Sequence, residues 1–254
     1  MKLAVCQMAL SENIKNNAAQ IIHFMEKASR QEVELICFPE MSLTGYTPAL
    51  LSKSELNLIV EEILWQIAKK CDDLHLGAII GYGYREGTNL FNRAGVILPG
   101  GKQFTYDKIY LTEVEEKYFH HGTGNLVFPF RGSWIGVIIC RDQNYPLLTK
   151  ELKEKGAEYI FILSAHYYNP KESRWKLEKN RAIPITRAVE NKVHVLLSNT
   201  VGTHMGMISL GNSLIADPDG AVVVAADEHQ EGLLLLEGTL KLNTDSTVKL
   251  LNNF

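Results

Sequence analysis

The sequence predicts a layered α/β protein: two stacked mixed sheets with helices outside them, a four-layer α-β-β-α sandwich. Three observations lead there. Short runs rich in Val and Ile alternate with amphipathic stretches, a pattern of strands and helices in alternation followed by hairpins. The strand-like runs number about a dozen, too many for one open sheet, so two stacked sheets are needed to hold them. No linker, low-complexity tract or fixed-period repeat divides the chain, so its 254 residues read as a single domain.

The elements follow in order. Leu3–Met8 reads as a first strand. Ile14–Ser29 has apolar Ile21, Ile22 and Met25 at helical spacing. Val33–Phe38 is an apolar run that ends at Pro39, as a buried strand would. Leu56–Cys71 is a helix with Ile59, Ile63, Leu64 and Ile67 along one face. Leu76–Tyr82, Arg93–Leu98 and Gln103–Lys108 read as strands, the last two joined by a turn at Pro99-Gly100-Gly101. Asn125–Phe128, Trp134–Cys140 and Tyr159–Ser164 continue the strands, with a helix at Pro146–Lys155. Arg174–Asn191 is a long helix with Pro184 inside it, so an irregular start or a kink is expected. Val193–Ser198, Met207–Ile215, Ala221–Ala225 and Leu233–Leu236 complete the strands, with Asp217-Pro218-Asp219-Gly220 as a turn.

Composition narrows the function. The apolar fraction is 46% and the charged fraction 22%, ordinary for a globular protein able to bury a full core. A net charge of -3 gives no reason to expect nucleic acid or an anionic membrane as partner. The first apolar run is too short to span a bilayer and no cleavage pattern follows it, so the expected location is the cytoplasm. Cys6, Cys37, Cys71 and Cys140 lack paired spacing, so neither a disulfide framework nor a zinc site is expected. His120-His121 reads as a surface pair, because adjacent side chains diverge and no third ligand is evident. Gly81-Tyr82-Gly83-Tyr84-Arg85-Glu86-Gly87 is not read as a dinucleotide loop: its third Gly is one place late and no helix follows.

Three reactive residues of different types stand at strand ends: Glu40, Lys108 and Cys140. That is where open α/β sheets build their sites. Singly each has a plain reading, as a loop carboxylate or helix cap, a strand-end charge and a core cysteine. Their neighbours change that. Phe38-Pro39-Glu40-Met41-Ser42-Leu43-Thr44-Gly45-Tyr46, Tyr106-Asp107-Lys108-Ile109-Tyr110-Leu111 and Gly136-Val137-Ile138-Ile139-Cys140-Arg141-Asp142 with Tyr145-Pro146 resemble the three catalytic motifs of the nitrilase superfamily. Arg187-Ala188-Val189-Glu190-Asn191 and Gly211–Gly220 also resemble family segments, so the likeness runs in order over nearly the whole chain.

The resemblance implies a carbon–nitrogen hydrolase. It makes Cys140 the nucleophile, Glu40 the general base and acid, Lys108 the oxyanion stabiliser and the N–H of Arg141 a second donor. Glu113–Gly122 is similar to the family's Glu-x-x-x-Phe-x-x-Gly stretch, which implies Glu115 as a further carboxylate, with Glu113 and Glu116 as competitors. Tyr46 and His166 are candidate substrate contacts; for His166 a structural, hydrogen-bonded role is the alternative. Family members often carry Pro in place of His121, a Glu in place of Leu147, and Asn or Ser followed by Trp where this chain has Ala165-His166-Tyr167.

The expected reaction is hydrolysis of a small linear amide to acid and ammonia, with no cofactor. Hydrolysis of an N-carbamoyl amine or a nitrile is the alternative within the superfamily. A non-catalytic binding protein on the same fold and a metal-dependent amidohydrolase are rivals from other classes. The resemblance further implies a homodimer or higher homo-oligomer, paired through the helix after Cys140 and the one carrying Ile183, Ile185 and Val189.

Overall fold

The computed structural model describes residues 1–237, which contain fourteen strands in two large sheets and one ribbon. In the first sheet β1 (Lys2–Gln7), β2 (Leu35–Cys37) and β3 (Gly77–Glu86) run parallel. The antiparallel strands β4 (Asn89–Ile97) and β5 (Gln103–Asp107) extend it on one side, and β14 (Gly232–Glu237) pairs antiparallel with β1 on the other. The second sheet has a parallel centre of β7 (Ser133–Ile139), β8 (Tyr159–Ser164) and β9 (His194–Asn199). Antiparallel β6 (Leu126–Phe130) flanks β7, while β12 (Leu214–Ala216) and then β13 (Val222–Ala225) flank β9.

Side-chain alternation assigns the layers. On β1, Leu3 and Val5 enter the core between the sheets, while Ala4 and Cys6 face the helix layer. That layer is α1 (Ile14–Ser29) and α3 (Leu56–Leu74), which bury Ile21, Met25, Val60, Ile67 and Cys71. On the far side α4 (Pro146–Glu154) and α6 (Leu177–Asn191) cover the second sheet with Leu148, Leu152 and Ala188. The expected four layers are therefore present. The sheets also meet through polar atoms: Ser198 Oγ on β9 donates to the carbonyls of Cys6 on β1 (2.6 Å) and Cys37 on β2 (3.2 Å).

Several details differ from the sequence reading. Met207–Ile215 is not one strand. Gly211 and Asn212, at φ 55° and 61°, turn the chain and split it into β11 (Met207–Leu210) and β12. β11 pairs with β10 (Val201–His204), which has no separate signal in the sequence, to form the ribbon. A short helix α2 (Pro48–Leu51) was also not anticipated. The expected helix over Arg174–Asn191 starts irregularly: a turn of helix α5 (Pro170–Ser173) precedes α6, and Pro184 is buried inside α6. Gly81 lies within β3, where a Cβ would stand 2.4 Å from the Met41 backbone nitrogen. Its missing side chain lets the loop carrying Glu40 lie flat on that strand.

Candidate active site

Glu40, Lys108 and Cys140 converge, each just beyond a strand end: Glu40 after β2, Lys108 after β5 and Cys140 after β7. Lys108 is 1% exposed and Glu40 likewise, which makes their pairing obligatory rather than incidental. Lys108 Nζ lies 2.7 Å from Glu40 Oε1 and 2.7 and 2.8 Å from the two oxygens of Glu115. Glu115 is thus the fourth member of the cluster, and its competitors Glu113 and Glu116 are exposed.

The carboxylates are held from several sides. Ala165 N–H, just past β8, donates to Glu40 Oε2 at 2.9 Å. Glu115 opens a 3-10 turn; its Oε2 accepts the Thr112 N–H at 2.9 Å, while its own N–H donates to Thr112 Oγ1 at 3.2 Å. Asn92 on β4 gave no sequence signal, yet its Nδ2 donates to Glu40 Oε1 (2.8 Å), Glu115 Oε1 (3.1 Å) and Tyr46 OH (3.2 Å). Tyr46 in turn donates to Glu115 Oε1 at 3.0 Å. Register explains the placement of Asn92: its carbonyl accepts the Lys108 N–H at 2.9 Å as the chain leaves β5.

The protonation states follow from burial and charge. Burial works against the Lys108 ammonium, but Glu40 and Glu115 outweigh it and hold the proton well above the ordinary lysine range. Burial would raise Glu115, yet Lys108 pulls it below its usual value. The Cys140 thiol is pushed far up, by burial first and by the Glu40 charge second, and Lys108 only partly offsets them. Both influences favour the protonated thiol over the thiolate.

Cys140 has φ 45°, in the left-handed region that non-glycine residues avoid. It begins a 3-10 turn, Cys140–Asn144, whose leading N–H groups, that of Arg141 among them, have no partner earlier in the turn. Asp142 in this turn accepts from Tyr106 OH (2.7 Å), Tyr110 N–H (2.8 Å) and Ile139 N–H (3.1 Å). The Arg141 side chain has a buried Nε without a partner among the described residues.

Glu40, Lys108, Glu115, Cys140 and Tyr46 line one cavity of about 750 Å³, within the range of small-molecule sites. Leu51, Leu90, Phe119, Tyr167, Met205 and Met207 give it a largely apolar wall. His166 stands behind that wall rather than on it. Its Nε2 is 3.4 Å from Gln143 Nε2, its ring stacks on Tyr168, and burial lowers its pKa to about 3, so it is neutral. His121 is exposed with Nδ1 2.7 Å from the Ile109 carbonyl. Among the described residues no three His, Cys, Asp or Glu side chains form a metal-binding group. Cys6, Cys37, Cys71 and Cys140 are all free, and no described helix is long and apolar enough to cross a membrane.

Comparison with known proteins gives a consistent picture. The sequence profile described as carbon-nitrogen hydrolase matches residues 2–245. A protein named nitrilase from Pyrococcus abyssi is 31% identical over 93% of this chain and 88% of its own length. The omega-amidase YafV of Escherichia coli is 26% identical over 78% of this chain and 74% of its own. Among solved structures, an amidase from Nesterenkonia sp. superposes with a TM-score of 0.81 at 22% identity, covering 93% of this chain and 89% of that one, which is a likeness of fold.

Proposed function

Because the chain belongs to the carbon–nitrogen hydrolase family, within the nitrilase superfamily, we propose that it is an amidase releasing ammonia from a small linear amide through an acyl-enzyme on Cys140. The observation that carries this reading is the buried contact of Lys108 with both Glu40 and Glu115 in the cavity that Cys140 also lines. One ammonium against two carboxylates leaves the cluster formally negative, so one carboxylate is free of full compensation and able to take a proton.

In this mechanism the Cys140 sulfur attacks the amide carbon while its proton passes to Glu40. The carbonyl oxygen becomes an oxyanion, met by the Lys108 ammonium and the Arg141 N–H; one such donor in a dry site is typically worth about 3–4 kcal/mol. Glu40 then returns the proton to the nitrogen, the C–N bond breaks and ammonia leaves. Water, deprotonated by Glu40, attacks the thioester, and the acid departs as the thiol re-forms. Glu115 keeps Lys108 charged and aimed while Asn92 and Tyr46 fix the carboxylates around it, a positioning role that saves the reaction reorganisation.

The test is ammonia release from short amides, carbamoyl amines and nitriles. Turnover is expected on amides, with a thioester mass adduct on Cys140 when the reaction is quenched early. Turnover confined to nitriles or carbamoyl amines would replace the amidase reading, and a protein inert on all three would remove it.

A further inference from the structure

The two oxygens of Glu40 have unlike surroundings. Oε1 accepts from Lys108 Nζ at 2.7 Å and from Asn92 Nδ2 at 2.8 Å. Oε2 accepts, among the described residues, only the Ala165 N–H at 2.9 Å. A carboxylate oxygen has lone pairs for two partners, so Oε2 is the one left open to a proton. Ala165 and Cys140 line the same cavity. Burial, then the Glu40 charge, raise the proton affinity of the Cys140 sulfur, and a hydrogen bond from Ala165 is among the smaller influences that lower it. One backbone N–H therefore serves both the base and the nucleophile, and its direction depends on the chain just past β8.

That chain is held by buried Asn199, which does not itself line the cavity. The register of β8 and β9 sets Asn199 beside Ser164, the residue before Ala165. Asn199 Oδ1 accepts the His166 N–H at 3.0 Å, and Nδ2 donates to the Gly211 carbonyl at 2.6 Å. An amide supplies both functions on one short side chain. Asn199 is fixed in turn: its own N–H donates to Ser213 Oγ at 2.9 Å, and the Ser213 N–H donates to Gln7 Oε1 on β1 at 3.0 Å. The peptide joining Ala165 to His166 is thus tied twice. Its N–H goes to Asn199, and its carbonyl accepts the Tyr167 N–H at 2.8 Å. It cannot rotate without giving up one of these bonds, and the adjacent Ala165 N–H is aimed accordingly.

We propose that Asn199 is a positioning residue for the proton transfer: by taking the His166 N–H it keeps the Ala165 N–H on Glu40 Oε2. This rests on the Cys140 and Glu40 roles given above and adds a residue that touches neither. Without Asn199 Oδ1 the His166 N–H is buried and unpaired, and the chain relieves that cost by turning the peptide toward another acceptor. Oε2 then loses its donor, and the Cys140 sulfur loses the same N–H.

The experiment compares Asn199→Ala with wild type in two measurements. The first is the rate of thioester formation on the best amide. It is expected to fall about 10–100-fold with KM steady within about threefold, as fits a residue that aims reacting groups without meeting substrate. The second is alkylation of Cys140 by iodoacetamide at about pH 9, read by intact mass. It should slow by about threefold or more, because the thiolate loses an N–H donor. A merely structural Asn199 predicts the opposite sign, since a loosened pocket admits the reagent faster. An unchanged thioester rate, a loss carried by KM alone, or alkylation at or above the wild-type rate overturns the proposal. If no amide is turned over, the amidase reading fails by itself and the alkylation rates still decide this one. Asn199→Asp covers the case of an Ala variant that does not fold. Burial favours its protonated form, which offers an acceptor to His166 and a donor to Gly211, so both rates should stay within about tenfold of wild type. A larger loss in a folded Asp variant overturns the proposal.

Discussion

Asp142 accepts the backbone N–H of Tyr110 at 2.8 Å, and this bond ties the turn behind Cys140 to the segment that follows Lys108. The same carboxylate takes the Tyr106 hydroxyl at 2.7 Å, so the two sheets are fastened beside the site by one buried side chain. Asp142→Ala leaves the Tyr106 hydroxyl buried without a partner, at a cost of about 1–3 kcal/mol. Thermal unfolding should show that loss, and turnover should fall with it because Cys140 and Lys108 are no longer held in register. Unchanged melting and unchanged kcat would contradict this role.

The two carboxylates flanking Lys108 should respond differently. Glu40→Gln keeps shape but cannot take the thiol proton, so acylation is expected to fall by about 10²–10⁴-fold. Glu115→Gln leaves the proton acceptor and removes a charge that aims Lys108; a smaller fall, of about 10²-fold, is expected. Pre-steady-state measurement of thioester formation separates them, and equal losses would mean that the roles are shared.

The resting thiol gives a further test. Burial first, and Glu40 second, hold the Cys140 proton well above the ordinary thiol range. Alkylation by a small neutral thiol reagent should therefore keep accelerating above about pH 8.5, where a free cysteine is already levelling off. A plateau below about pH 8 would show a preformed thiolate and would require a different first step.

His166 predicts an acid-side loss of stability. Its pKa is lowered to about 3 by burial, with Lys179 and Lys108 adding to the effect. The unfolded chain takes up this proton near pH 6.5, the folded one near pH 3. Between those values the unfolded state binds more protons, so stability falls as pH falls, by about 1.4 kcal/mol per pH unit for one group. Denaturant titrations of wild type and His166→Gln from pH 7 to pH 4 should converge as the pH drops. Parallel curves would remove His166 from the account.

Assembly is the remaining prediction. Of the apolar residues expected to pair subunits, Ile185 packs against the protein's own core, whereas Val189 on α6 is 40% exposed; on α4, the other helix expected to pair, Leu147 is 61% exposed, though it was not among those residues. A self-complementary patch including these two would give a C2 dimer, and Val189→Glu should weaken it and lower activity. Sedimentation at micromolar concentration checks this; a fully active species near 28.5 kDa would rule it out.

Much of this was legible in the sequence, for reasons that differ by element. The bounds of α1 are local properties: its apolar positions repeat at helical spacing, and Asn13 caps it by accepting the Lys15 N–H. Glu40, Lys108, Glu115 and Cys140 were legible because each sits in a run of characteristic neighbours. Asn92 was not, because an Asn within a strand has no spacing to betray it and is brought to the site only by the β4–β5 register. Asp142 lay in view beside Cys140, but its partners Tyr106 and Tyr110 come from a distant segment. The separation of β11 from β12 depends on two consecutive left-handed residues, one of them Asn212, which apolar patterning passes over.

The left-handed backbone of Cys140 holds its side chain at the cavity against the chain's own conformational preference. A residue with a Cβ gives up about 1–2 kcal/mol there relative to glycine. Cys140→Gly would remove that strain along with the sulfur, so the inactive protein should melt higher than the active one at this position. If Cys140 carries the proposed thioester, selection for thermal resistance alone would press this position toward glycine and against turnover.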